Sequence, residues 1–191
     1  MKTTKIIVLA TLVLGTVLFS CSNDQDVKAK QTDKKEIKHH GQASVKDDVS
    51  DPNVLQVAMS LDDFTTLVIA IKAAGVEDAL VNTGPLTVFA PINSAFAKLP
   101  EGTVETLLKP ENKSKLAFIL INHVAPSNYP IKQLEKSIKK NRKIYMASGK
   151  YLTVEKKEDG IYVGGTKILK SVKVSNGWIH VIGDVLIPSD N

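Results

Sequence analysis

Hydrophobic spacing changes character partway along this chain, and that change limits its fold more than any other feature. Phe64, Leu67, Val68 and Ile71 recur at helical spacing, with Gly75 placed to end the helix. Before them Val54, Val57 and Ala58 share a helical face, and Ser60 is placed to cap the next helix, with Asp63 at its third position. Segments 76–81, 104–108 and 116–121 keep the helical pattern. From Ile144 onward the apolar runs shorten to strand length, at 144–146, 151–154, 161–163, 168–174, 178–182 and 185–187. Gly149-Lys150 and Asp159-Gly160 supply hairpin punctuation. Helices early and strands late imply a segregated α+β fold.

Two longer segments carry more specific information. Segment 86–96 (LTVFAPINSAF) reads as a buried strand through Leu86, Val88 and Phe89, stopped by Pro91. Asn93 then stands ready to cap a helix carrying Ala95 and Phe96. Segment 176–188 (NGWIHVIGDVLIP) reads as a turn at Asn176-Gly177, then β-rich residues closed by Pro188. His180 alternates with Ile179 and Val181, so its side chain is expected on the opposite face of the strand. Phe89, Phe96 and Ile179 are expected in the core.

In order and content these segments resemble the two signature segments of fasciclin-like (FAS1) domains. The resemblance runs through 53–188 and includes Gly84-Pro85, Ala97-Lys98-Leu99-Pro100 and Asn122-His123-Val124. It departs at Asn122, where the family usually has Tyr, at Ile92, where Thr is common, and at Trp178, where a small aliphatic residue is usual. The resemblance implies a compact β-sheet core wrapped by several short helices. It also implies a binding module for cell adhesion, extracellular matrix or polysaccharide, with no enzymatic activity and no cofactor. On it, Phe89, Pro91, Asn93, Phe96, His123, Asn176, Gly177, His180 and Pro188 are motif residues with mainly structural roles. Without the Tyr, the integrin contacts described for animal relatives do not carry over to Asn122 and His123.

The start of the chain addresses location. Lys2 and Lys5 precede an apolar run over 6–19, shorter than the roughly 20 residues a spanning helix needs and laid out like a secretory signal. It ends in Leu18-Phe19-Ser20-Cys21, which resembles a bacterial lipobox. Residues 1–20 are therefore expected to be a lipoprotein signal peptide, with Cys21 acylated (palmitate among its chains) and holding the protein to a membrane. The competing reading is an ordinary secretory signal with an incidental cysteine. Cys21 is the sole cysteine, so no intramolecular disulfide forms. Ser22 follows it, without the aspartate that signals inner-membrane retention, so in a two-membrane host the outer membrane is favoured. Segment 21–51 is polar, with six lysines nearly cancelling seven acids, and reads as a disordered tether. Such a coil reaches roughly 30 Å. His39-His40 lies in it without other His or Cys nearby. Segment 52–191 is expected to form one domain in the extracytoplasmic envelope.

The formal net charge is +5, but lysines without interleaved aromatics argue against nucleic acid as a partner. No nucleophile elbow, phosphate-cradling loop or metal-ligand cluster is present in the sequence, so neither catalysis nor a metal site is expected. His123 and His180, beside apolar residues, are expected to be hydrogen-bonded structural groups. The remaining feature is Lys132, Lys136, Lys139, Lys140 and Lys143, which with Arg142 form one outward stripe if 131–143 is helical. A stripe of this kind attracts acidic polysaccharide or anionic headgroups, or is merely a solvated face. The function expected is adhesion or surface and matrix binding. The alternative is an envelope module that binds a glycan or small molecule without a direct adhesive role.

Overall fold

The computed structural model describes residues 51–82 and 84–188. The expected leader, Cys21, His39-His40 and the tether through residue 50 lie outside the described residues. No helix among the described residues is long and apolar enough to cross a membrane.

Short helices come first: α1 (Val54–Met59), α2 (Thr65–Ala74) and α3 (Glu77–Asn82). Strand β1 (Leu86–Pro91) follows, then α4 (Asn93–Phe96), α5 (Thr103–Leu107), α6 (Lys113–Ile121), β2 (Val124–Ala125) and α7 (Ile131–Lys139). The remainder is β3 (Ile144–Tyr145), β4 (Tyr151–Leu152), β5 (Val154–Lys157), β6 (Gly160–Val163), β7 (Thr166–Val174) and β8 (Gly177–Ile182). One six-stranded sheet has the order β2-β1-β8-β7-β6-β5, and β3 and β4 form a separate ribbon. Among the described strands only β1 with β8 is a parallel pairing; the other pairs are antiparallel. This is the expected α+β fold.

β1 and β8 are neighbouring interior strands of this sheet, and β1 is buried along its whole length. That is why 86–91 reads as a nearly continuous apolar run, the pattern of a strand covered on both faces. On one side Leu86, Val88, Ala90 and Ile179 join residues of α1–α3 and α6, including Leu67, Ile71 and Leu120. On the other side Phe89 and Ile182 pack with Ala125, Leu134, Ile144, Met146, Val163 and Leu186. The two cores are separated by the thickness of the sheet.

Gly177 marks a tight approach between β1 and β8. It pairs with Leu86 across the parallel ladder, and a Cβ there would collide with the Leu86 backbone carbonyl. Only glycine permits that approach.

Four local expectations are corrected. Ser60 ends α1, its hydroxyl donating to the Val57 carbonyl, and makes no cap for the next helix. Residues 185–188 are not a strand. The β7–β8 turn is Ser175-Asn176, with Gly177 already inside β8. Phe96, expected in the core, is half-buried and packs against the edge of the helical core.

Candidate binding site around His123

The polar signature residues turn inward. Asn93 does not cap its own helix: its side chain accepts the Thr66 N–H (3.0 Å) and donates to the Asp62 carbonyl and the Thr65 hydroxyl, closing the start of α2. Asn176 accepts the Val54 N–H (3.1 Å) and donates to the Leu80 carbonyl (2.8 Å), so it ties α1 and α3 to the tip of the central hairpin. Asn122 and His123 grip one residue between them. The Asn122 amide donates to the Leu186 carbonyl (3.2 Å), and the Leu186 N–H donates to His123 Nε2 (2.9 Å). The Leu186 backbone is thereby satisfied by side chains, which is the physical reason 185–187 joins no ladder. The amide of Asn122 also accepts the Ser148 hydroxyl (2.8 Å). A tyrosine at 122 offers neither an amide donor nor a carbonyl acceptor for these bonds.

The two buried histidines hold opposite tautomers. His123 Nδ1–H donates to the Ile119 carbonyl (2.8 Å), leaving Nε2 to accept. Burial pushes its pKa down to about 4, with the Ile119 bond only partly opposing. His180 Nε2–H donates to the Tyr129 carbonyl (2.7 Å), while Nδ1 accepts the Ser171 hydroxyl (2.7 Å). Its pKa is also lowered by burial, and its ring stacks on Phe89 with centroids 5.4 Å apart. Both imidazoles are neutral pins between elements. The serine beside His180 is paired with a base oriented by a backbone carbonyl rather than by a carboxylate. Among the described residues no group of His, Cys, Asp and Glu is arranged to hold a metal ion.

The lysines expected as one stripe are divided. Lys132, Lys136 and Lys139 lie exposed on α7, which ends at Lys139. Lys140 caps the helix, Asn141 takes a left-handed conformation (φ 49°), and Arg142 and Lys143 follow in the exit turn, all exposed. A helical stripe through Lys143 is therefore corrected to a basic cluster at the C-terminal end of α7. Pro91 is the buried last residue of β1, and Pro188 is half-buried beyond the Leu186 clamp.

One concave feature has no counterpart in the sequence reading. A cavity of about 620 Å³ lies between α1–α3 and the inner face of β1 and β8, with His123 and Leu120 in its wall. Leu67, Ile71, Leu86, Val88 and Ile179 are buried around it, while Ala79, Gly84, Pro85, Pro126 and Ala147 are exposed at its rim. A second cavity of about 190 Å³ uses the other side of Leu120 and His123. Sequence patterning shows that these residues are apolar but not whether they touch, so it carries no signal for a void.

Comparison with known proteins agrees with this architecture. The fasciclin domain model matches residues 62–188. Protein sll1483 of Synechocystis sp. is 44% identical over 136 residues, covering 71% of this chain and 73% of that protein. Transforming growth factor-beta-induced protein ig-h3 of Sus scrofa is 32% identical over 138 residues, 71% of this chain but only 19% of the larger protein. A FAS1 domain pair from the insect cell adhesion molecule fasciclin I has the same fold, with a TM-score of 0.50 and 18% identity over 63% of this chain and 43% of that one. The chain belongs to the fasciclin domain family.

Proposed function

We propose that this protein is a membrane-anchored, extracytoplasmic lipoprotein whose fasciclin domain acts in cell adhesion or in binding surface and matrix polymers. The family match over 62–188 carries the adhesive part of the reading, since proteins with this domain are generally adhesive and non-enzymatic. The inward use of Asn93, Asn122, Asn176, His123 and His180 supports it further, because these side chains are occupied in holding the fold. Anchoring rests on the segment ending at Cys21. One acyl chain holds only marginally and several hold durably. The partner surface we propose is the basic end of α7, whose exposed Lys136, Lys139 and Lys140 would attract an acidic polysaccharide. A second reading, an envelope module for a small molecule, is favoured by the apolar cavity.

Two measurements test this reading. Cys21→Ser is expected to release the protein to the soluble fraction or leave an uncleaved precursor; normal processing with retention in the membrane contradicts anchoring. Lys136, Lys139 and Lys140 changed together to Glu are expected to abolish attachment to acidic polysaccharide at low salt, with folding intact. Attachment by the parent should itself weaken toward 0.15 M salt, where screening acts over about 8 Å. Undiminished attachment by the triple variant removes α7 as the contact.

A further inference from the structure

The cavity between the helices and strands β1 and β8 has the size of a ligand site. Close-packed interiors contain few voids larger than a water molecule, whereas ligand sites run from about 300 to 1,000 Å³. At about 620 Å³ this cavity falls inside the second range. Its chemistry excludes most occupants. No charged residue is among the described residues that line it. Among these described residues the one ionisable side chain is His123, and both of its ring nitrogens are already bonded, to the Ile119 carbonyl and the Leu186 N–H. The space therefore suits hydrocarbon.

Access is also built in. Among the described residues, the exposed part of the rim is Ala79, Gly84, Pro85, Pro126 and Ala147, all with short or ring-closed side chains. Deeper in, Leu120 and His123 separate this space from the cavity of about 190 Å³, so the apolar region extends beyond one chamber. From these features we infer that the domain is an acyl-chain-binding module. The cavity takes the hydrocarbon tail of a single fatty acid or lipid, and the polar end remains at the rim. Preference for an acyl chain over another apolar solute rests on the anchored location proposed above, which keeps the domain beside lipid. Binding itself is measured on purified protein, so its failure is distinct from a failure of anchoring, which the Cys21→Ser fractionation reads.

The test is calorimetric titration of the purified, delipidated full chain with palmitate and shorter saturated fatty acids, each below its micelle concentration. Saturable one-to-one binding is expected, tightening about fourfold per added methylene until the cavity is full. Ala58→Phe, which projects a ring into the space from α1, should weaken palmitate binding at least tenfold. Ala147→Trp, at the exposed rim, should do the same without moving the unfolding midpoint, and it decides the matter if the α1 variant fails to fold. Absence of binding, affinity indifferent to chain length, or parental affinity in Ala147→Trp overturns the inference. So does binding of a compact ring such as naphthalene with none of palmitate.

Discussion

At the scale of single residues, the polar members of the signature segments act as internal connectors. Asn122 and His123 show how far this goes: two adjacent side chains satisfy both backbone groups of Leu186. This has a pH consequence. The His123 pKa falls to about 4 in the folded protein, against an ordinary value of 6.5. The unfolded chain therefore binds the proton more readily, so stability contributed by neutral His123 is complete above pH 6.5. It is lost progressively as pH falls from 6.5 to about 4. The loss amounts to about 3 kcal/mol, and His180, shifted in the same direction, adds to it. Urea unfolding from pH 7 to 4 should show this decline, and His123→Gln should flatten it. A parent equally stable at pH 4 and 7 contradicts the buried neutral assignment.

At the scale of elements, the hydrophobic periods found most helices and strands, because amphipathic spacing is a local property of the chain. The errors fall where a distant residue acts. Ser60 has the right chemistry to start a helix, yet α2 is closed by Asn93, 27 residues from the Thr66 amide it accepts. Likewise 185–187 has strand composition, but its central backbone groups bond to side chains from the end of α6. Asn93→Ala should therefore destabilise the domain by about 1–2 kcal/mol through the loss of a cap on another helix. Denaturant unfolding reads the size, and a change below about 0.5 kcal/mol would show the cap to be dispensable. The lysine pattern divides for a related reason: α7 stops at Lys139 and Asn141 turns left-handed, which redirects the residues beyond.

At the scale of the described domain, the decisive arrangement is the β1–β8 pair covered on both faces, with helices on one side and α7 with Ile144 and Met146 on the other. Phe89 sits fully buried in the second core, so Phe89→Ala should cost about 3–5 kcal/mol, enough to unfold or aggregate a marginal domain. Lys139→Ala, exposed on α7, should stay within about 0.5 kcal/mol of the parent. Equal melting temperatures for Phe89→Ala and the parent would remove Phe89 from the core. The α+β class, the buried strand at 86–91 and the family were legible in the sequence, since each depends on side-chain order along a short stretch. The parallel pairing of β1 with β8, the clamp on Leu186, the half-burial of Phe96 and the apolar cavity were decided only in three dimensions. The clamp, for one, joins residues 63 and 64 positions apart, and local spacing carries no record of which distant residues come into contact or fail to.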